Sequence, residues 1–290
     1  MRNNCLQVLS QFEYCCYMGK HSAIEWTDHT FNPWWGCTKV STACANCYAE
    51  TWAKRVGQSI WSSDSPRRFF SDQHWKAPIL WNRECEKDGI RRRVFCASMA
   101  DVFEARHDLN PWRDRLWKLI ADTPMLDWLL LTKRPEEISM RVPWKSDWPD
   151  NIWIGTTIEN QEQIHRAMHL VRIPAKVRFL SCEPLLGPLD LSPWLDQIMW
   201  VIVGGESGPR ARPLNPEWVA SILRQAKETN TIFHFKQWGE WAPAAESNMK
   251  RVGKKKAGRQ FQGKTWDDIP GYPNRSLSCS AVSLGSTARS

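Results

Sequence analysis

The sequence predicts an α/β protein folded as a full or partial parallel β/α barrel, TIM-like in plan, with a cysteine-bearing loop before the first helix. Three observations predict this class. Short apolar runs alternate with helical patterns along most of the chain. The runs have the length and β-branched content of buried parallel strands. Polar residues follow each of six runs. A doubly wound open sheet is the alternative arrangement of the same units.

Six apolar runs are predicted strands, and a seventh strand is predicted at 23–26, ahead of the cysteines. The six runs cover residues 94–97, 128–131, 152–154, 177–180, 200–203 and 232–235. Helical patterns fill the intervals at 47–56, 111–121, 135–140, 161–171 and 216–229. Pro111 and Pro216 suit the first turn of a helix, where a missing N–H costs nothing. Strand–helix alternation implies right-handed crossovers and a parallel sheet.

Length and composition exclude several classes of protein. The 290 residues are 42% hydrophobic and 24% charged, which is ordinary for a folded protein of one large domain or two small ones. The ten cysteines form no regular framework, which argues against a secreted disulfide scaffold and favours a cytoplasmic location. No stretch is apolar enough to span a bilayer, and no signal peptide is evident.

The chain divides into four predicted segments. Residues 1–21 are expected to be a flexible extension, with Met18 as an alternative start. Residues 22–245 form the barrel domain, and residues 246–270 form a basic C-terminal segment. The tail 271–290, rich in Ser and Gly, is expected to be disordered.

Charge and tryptophan content favour an anionic partner such as nucleic acid. The net charge is +8, and the run 250–259 is either a solvated loop or a phosphate-contacting patch. Nineteen tryptophans are present, and those in polar or Pro-rich settings could stack on bases, although a core or loop-anchoring role is the default. These tryptophans are Trp34, Trp35, Trp75, Trp81, Trp144, Trp148, Trp238 and Trp241.

Polar residues cluster directly after each of the six predicted strands. The carboxyl ends of parallel strands meet at one edge, so these clusters should converge on a shared site. The clusters are Ser98 and Asp101; Thr132, Lys133 and Arg134; Thr156, Thr157 and Glu159; Ser181 and Glu183; Gly204, Gly205, Glu206 and Ser207; and Lys236 and Gln237.

Cys37, Cys44 and Cys47 form a C-x6-C-x2-C motif that leaves a metal centre one protein ligand short. A structural zinc site needs four ligands, whereas a cubane iron–sulfur cluster held by three thiolates keeps one iron open for catalysis. The N–H groups of the following helix should stabilise the thiolates. The alternative is a zinc site completed by His21 or His29.

Several separate segments, in order from residue 22 to 270, carry a family resemblance. They are 24–37 with the cysteine motif and Tyr48-Ala49-Glu50, then 98–103, 131–135, 181–185, 203–208, 235–239 and 257–270. Together they resemble the phage-associated three-cysteine-motif family, which is grouped with the radical S-adenosylmethionine (SAM) enzymes and is distantly similar to spore photoproduct lyase. The commonest radical SAM motif is C-x3-C-x2-C. The longer first gap here leaves a different cluster or metal as an alternative.

The resemblance implies a defined chemistry. Cys37, Cys44 and Cys47 would hold three irons of a [4Fe–4S] cluster, and SAM would chelate the fourth iron. An electron from an unidentified donor would cleave SAM to methionine and a 5′-deoxyadenosyl radical that abstracts hydrogen from the substrate. The expected substrate is nucleic acid, by repair or modification. The alternatives are the same chemistry on a small molecule or peptide, and a zinc-stabilised, non-catalytic nucleic-acid-binding module.

Roles for the remaining polar residues are assigned by chemistry, and each residue could instead be an ion-pair partner on the rim. Lys133 and Lys236 could neutralise the SAM carboxylate or a substrate phosphate and are the candidate catalytic residues. The Gly-Gly-Glu turn would let the backbone approach a ligand while its carboxylate accepts from an amine or hydroxyl. The candidate cofactor-binding residues are Ser98, Thr157, Glu159, Glu183, Gly204, Gly205 and Glu206.

Overall fold

The computed structural model describes residues 22–244 and 248–271. The predicted N-terminal extension 1–21 and, apart from residue 271, the predicted tail 271–290 lie outside the described residues. The strands are β1 His29–Thr30, β2 Trp34–Trp35, β3 Arg68–Phe69, β4 Arg92–Cys96, β5 Leu126–Thr132, β6 Ile152–Thr157, β7 Val177–Cys182, β8 Trp200–Gly204, β9 Ile232–Gln237, β10 Trp241–Pro243 and β11 Met249–Arg251. The helices are α1 Tyr48–Arg55, α2 Asp72–Trp75, α3 Ala77–Asp88, α4 Asn110–Ala121, α5 Ile138–Arg141, α6 His165–Leu170, α7 Pro216–Glu228 and α8 Lys254–Ala257.

Seven strands form one all-parallel sheet that curls into a half-barrel, which confirms the predicted partial barrel. The strand order is β1-β4-β5-β6-β7-β8-β9, so each strand after β1 pairs with its successor in this list. Two antiparallel pairs, β2 with β3 and β10 with β11, lie outside the sheet. Asn215 caps α7 by accepting the backbone N–H of Glu217 at 2.9 Å, and Pro216 begins that helix, as predicted.

The concave side of the half-barrel is packed with one row of large side chains. Phe95, Leu129 and Trp153 stand opposite one another on β4, β5 and β6 and are buried. Trp200 and Phe179 continue the row. The convex side packs against α3, α4 and α7 in a second, larger core. This division into two faces follows from the alternation of side chains along each strand.

A seventh sheet strand precedes the cysteine loop, as predicted, but its predicted position at 23–26 is wrong. Residues 23–26 form a bend and turn, and the first sheet strand is β1, three residues later. Trp26 explains the apolar signal in a different way. Its ring enters the concave side, where it lies 4.7 Å from the ring of Phe95 and 6.1 Å from that of Trp200. A single buried aromatic residue in a turn therefore gave these residues the apolar pattern of a short strand.

The other predicted elements differ mainly at their ends. Five of the six strands continue past the carboxyl end of their apolar run, because ladder pairing continues through polar pairs such as Thr132 with Thr156 and Thr157 with Ser181. The exception is β4, which begins two residues before its run and ends one residue short of it. The predicted helices 135–140 and 161–171 each begin as a 3-10 turn. Helix α3 was missed, because its buried face includes Pro78 and Asn82, which weaken the apolar periodicity.

The basic C-terminal segment belongs to the fold. Met249–Arg251 pairs with Trp241–Pro243, which lies within the predicted barrel domain. Further along, Phe235 on β9 donates its N–H to the carbonyl of Trp266, so the segment covers the exposed edge of the sheet. Of the tryptophans proposed as stacking residues, five are buried core residues instead: Trp34, Trp35, Trp75, Trp81 and Trp238. None of the described helices has the length and apolarity that a membrane span demands.

Gly155 in β6 provides a test of this packing. A Cβ built there would lie 2.4 Å from the ring of Phe179, so Gly155→Ala should destabilise the fold by about 1–3 kcal/mol through overpacking. Chemical denaturation measures the free energy of unfolding. The matched control is Gly187→Ala, whose Cβ would meet Asn160 at an ordinary 3.4 Å and should change stability by less than about 0.5 kcal/mol. Equal effects would contradict the packing described.

Candidate functional site

A cavity of about 440 Å³ lies where the carboxyl ends of the strands meet the cysteine loop. This volume is within the range of small-molecule sites. All six predicted polar clusters contribute to its lining. The contributing residues are Ser98, Asp101, Thr132, Lys133, Arg134, Thr157, Ser181, Glu183, Gly205, Glu206, Ser207, Lys236 and Gln237.

Three residues of those clusters do not line the cavity. Glu159 is fully buried, and its Oε2 lies 2.8 Å from Nη1 of Arg166. Gly204 packs behind Glu183, whose side chain would meet a Cβ at 3.3 Å. Thr156 is buried and donates its hydroxyl to the carbonyl of Thr132. Glu159 and Gly204 are therefore not placed to contact a ligand in this cavity.

The cysteine loop leaves the fold at a turn that only glycine permits. Gly36 has φ +116° and donates its N–H to the carbonyl of Met99, while a Cβ there would lie 2.7 Å from the carbonyl of Ile60. The chain then carries Cys37, a 3-10 turn that ends at Cys44, and Cys47 at the N-cap of α1. All three thiols are free and line the cavity.

Burial opposes the thiolate forms of Cys37 and Cys47, while the N–H groups at the start of α1 act on Cys47 in the predicted, stabilising direction. Burial raises the pKa of the Cys37 thiol to about 12; the Asp101 carboxylate adds to this, and the Arg134 guanidinium opposes it. Burial likewise raises the pKa of Cys47, although the N–H groups of Glu50 and Ala49 oppose it. Desolvation outweighs the helix terminus, so a bound metal would displace protons from these two sulfurs.

Three thiols on one cavity wall suit a three-thiolate cluster in number and in chemical kind. Within 22–244 and 248–271, no three His, Cys, Asp or Glu side chains stand close enough together to hold a metal ion. The proposed fourth zinc ligand His29 lies in the core, stacked 4.4 Å from the ring of Trp81, and does not line the cavity. The other, His21, lies outside the described residues.

A buried ion-pair network holds the start of the loop. Arg67 and Glu104 form a bidentate pair at 2.6 and 3.0 Å, with their side chains 0% and 4% exposed. Thr38 donates its hydroxyl to Glu104 at 2.6 Å. Arg134 donates to the carbonyl of Thr38 at 2.6 Å and pairs with Asp101 at 2.8 Å. Sequence reasoning missed Arg67 and Glu104, because they lie outside every motif.

A second network holds the end of the loop. Asn46 donates to the carboxylate of Glu206 at 3.1 Å and to the carbonyl of Arg210 at 2.8 Å. Arg212 pairs with Glu206 at 2.6 Å and donates to the carbonyl of Thr42 at 3.2 Å. The loop between Cys37 and Cys47 is therefore anchored on both sides to the carboxyl end of the sheet.

These contacts bear on the Gly-Gly-Glu turn. Burial would raise the pKa of the Glu206 carboxyl, but hydrogen bonds from Arg212 and Asn46 outweigh it and hold that pKa below its usual value. An incoming amine would have to compete with those donors. Gly205 is required by packing, since a Cβ would lie 1.9 Å from the carbonyl of Trp238.

The two candidate catalytic lysines differ in their surroundings. Lys236 pairs with Glu183 at 2.6 Å. Lys133 lies 3.5 Å from the hydroxyl of Thr157, and no carboxylate of the described residues lies within 4.0 Å of its ammonium. Lys133 is therefore the better placed of the two to receive an anionic group of a ligand.

Removing Glu206 should loosen the cysteine loop. In Glu206→Ala, Arg212 and Asn46 lose their shared acceptor, which should cost about 1–3 kcal/mol of stability. In metal-free protein, a thiol reagent should then modify Cys37, Cys44 and Cys47 several-fold faster. The control is Glu137→Ala, which removes an Arg141 pair of the same 2.6 Å length on a helix and should cost only about 0.3–0.5 kcal/mol. Unchanged thiol reactivity in Glu206→Ala would contradict the anchoring role.

His74 should make stability depend on pH. Its Nε2 lies 2.7 Å from the carbonyl of Asn32, and Asn32 in turn accepts the N–H of Met99 beside the cavity. Burial lowers the pKa of His74 to about 4, and the hydrogen bond only partly offsets this. Between pH 6.5 and 4 the unfolded chain binds the extra proton at position 74, so His74 should lower stability as the pH falls, by at most about 1.4 kcal/mol per unit. Burial lowers the pKa of His234 to about 3, which adds a contribution of the same sign. His74→Gln should flatten this slope in denaturation curves, and an unchanged slope would contradict the assignment.

Comparison with known proteins gives one family and a partial structural likeness. No curated protein matches the chain significantly. Similar solved structures include a spore photoproduct lyase mutant, with 9% identity, 73% of this chain and 77% of that chain covered, and a TM-score of 0.46. Another is spore photoproduct lyase complexed with dinucleoside spore photoproduct, with 11% identity, coverage of 79% and 69%, and a TM-score of 0.41. These partial superpositions carry no conclusion about activity.

The family match covers nearly all of the described chain. It runs over residues 21–270, and the family is described as "Protein of unknown function (DUF5131)". The two anchored ends of the cysteine loop and the whole half-barrel fall within that range. The chain belongs to the DUF5131 family.

Proposed function

We propose that this protein is a radical SAM enzyme that acts on nucleic acid, by modification or repair. One observation carries the proposal. Three free cysteine thiols line one wall of a cavity whose other walls are the carboxyl ends of parallel strands. That edge is where parallel β/α folds build their active sites. In this proposal Cys37, Cys44 and Cys47 hold three irons of a [4Fe–4S] cluster.

The cavity offers SAM a polar wall and an apolar floor. Lys133 and Thr157, 3.5 Å apart, are placed to bind a carboxylate and a hydroxyl. Ser98 adds a further hydroxyl to the lining, and the Lys236–Glu183 pair presents both charges for polar groups of the ligand. Glu206 contributes by anchoring the loop through Asn46.

When bound, the reduced cluster supplies the electron that cleaves SAM to methionine and a 5′-deoxyadenosyl radical, which abstracts hydrogen from the substrate. The chain's own task is to position the reactants and exclude water. Trp26, Phe95 and Leu131 line the cavity on its concave, apolar side. Such a dry floor limits side reactions of an unstable intermediate.

The charge of the chain favours nucleic acid over a neutral small molecule or peptide. The net charge is +8, and Lys254, within the basic C-terminal segment, lines the cavity. A phosphodiester backbone would therefore meet cations at the entrance of the site. An external electron donor completes the reaction.

Anaerobic purification followed by iron, sulfide and visible-absorption measurements tests the proposal. We expect about four irons per chain and, after reduction with SAM, release of 5′-deoxyadenosine. Cys44→Ala should lose the cluster while the sheet stays folded, because the core strands do not depend on the loop. Cys85→Ala, at a buried cysteine of α3 away from the cavity, should keep the cluster.

Two results would contradict the proposal. One is protein that holds its cluster yet releases no 5′-deoxyadenosine. The other is stoichiometric zinc without iron, with global unfolding on chelation or in Cys44→Ala, which would identify a zinc-stabilised nucleic-acid-binding module instead.

A further inference from the structure

A dense group of exposed cations lies beside the cavity and takes no part in the chemistry proposed above. We call it the basic ridge. It lies on the loop after β8, the strand β11 and the helix α8. Its members are Arg210, Lys250, Arg251, Lys254, Lys255 and Lys256. Six exposed cations thus lie close together in a chain whose 39 Lys and Arg outnumber its 31 Asp and Glu.

The basic ridge is fixed to the rim of the cavity. Arg251 donates to the carbonyl of Gly208 at 3.0 Å, and the indole of Trp241 donates to the carbonyl of Ala211 at 2.7 Å. Gly208 donates its N–H to the carboxylate of Glu240 at 3.0 Å. The same loop accepts a hydrogen bond from Asn46 of the cysteine loop at the carbonyl of Arg210. Ridge, rim and cysteine loop are thus one connected surface.

Aromatic side chains stand on the cysteine-loop side of the same entrance. Tyr48 lines the cavity and is 52% exposed, and its hydroxyl donates to the carbonyl of Ser98 at 2.9 Å. Trp61, half-buried, also lines the cavity. Cations and an exposed aromatic ring at one cavity are the combination that binds single-stranded nucleic acid, with phosphates on the cations and bases on the ring.

The shape of the site selects against a duplex. The cavity lies at the carboxyl end of a sheet that curls around it, and its lining reaches down to Trp26 and Phe95. A base inside a double helix must first be flipped out of its stack to enter such a space, at a cost of a few kcal/mol, whereas an unpaired nucleotide enters without that cost. We propose that the substrate is single-stranded nucleic acid, with its phosphates on the basic ridge and an unpaired base against Tyr48. This inference rests on the proposed function for the identity of the reacting site.

Fluorescence anisotropy of a labelled 20-nucleotide oligodeoxythymidylate, titrated with the anaerobically purified full chain, tests the inference. Binding should be tighter than to a blunt duplex of equal length and should weaken steeply with salt. The triple variant K254E/K255E/K256E should bind at least tenfold more weakly, with the slope of log K against log salt reduced by about two. The matched control K76E/R83E/K87E reverses three exposed cations at and within α3 and should bind within twofold of the parent.

The aromatic contribution is tested at Tyr48. Tyr48→Ala should weaken binding about fivefold or more, as loss of a stacking platform does. Tyr48→Phe keeps the ring and should stay within twofold. Iron content and circular dichroism of every variant separate loss of binding from loss of cofactor or fold. Equal affinity for the duplex, or an unchanged affinity of the ridge variant, would overturn the inference.

Failure of the two proposals is distinguishable, because binding does not require the cofactor. Protein that releases 5′-deoxyadenosine but does not bind the oligonucleotide at low salt would refute the single-strand substrate and leave the radical chemistry standing. Protein that lacks iron but binds the oligonucleotide through the ridge would refute the radical chemistry and leave single-strand binding standing.

Discussion

The anchoring of the cysteine loop at both ends is the constraint on which the site depends. At one end, Arg134 and Glu104 hold Thr38, which follows Cys37. At the other, Glu206 and Arg212 hold Asn46 and the carbonyl of Thr42. Without these contacts the loop would sample many conformations. In most of them its residues would no longer line the cavity. The ion pairs convert that freedom into one placement of three sulfurs over the sheet.

The pair Arg67–Glu104 shows how this anchoring is achieved. Both side chains are almost completely buried, so the pair gains little net stability after desolvation of its charges. The pair positions the loop residues that bond to it more than it adds to the free energy of unfolding. The guanidinium of Arg67 also donates to the carbonyls of Ile60, Ser62 and Ser65, which joins the neighbouring loop to the same network. Breaking the pair by removing one member would leave a buried charge without its partner, which is strongly destabilising.

Several polar residues at the strand ends serve the protein rather than a ligand. Glu159 is used by Arg166, and Glu206 by Arg212 and Asn46. Fewer polar groups are therefore available to bind a ligand than the number at the strand ends suggests. Lys133 and the hydroxyls beside it face the interior of the cavity, and the basic ridge faces its exterior. The site thus separates small-molecule contacts within from polyanion contacts at the rim.

Local patterns in the amino-acid order predicted the six main strands, five helices, the cysteine loop before the first helix and the meeting of polar residues at one edge. Those features depend on periodicity and spacing over a few residues, which the sequence displays directly. Contacts across the fold decided the rest. Residues 23–26 form a turn whose Trp26 ring packs on the concave side, and β1 follows that turn into the sheet. Thr38 meets Arg134 across 96 positions of chain. Whether a carboxylate faces a ligand or a buried arginine depends on which distant cation the fold brings beside it, and no local pattern records that choice.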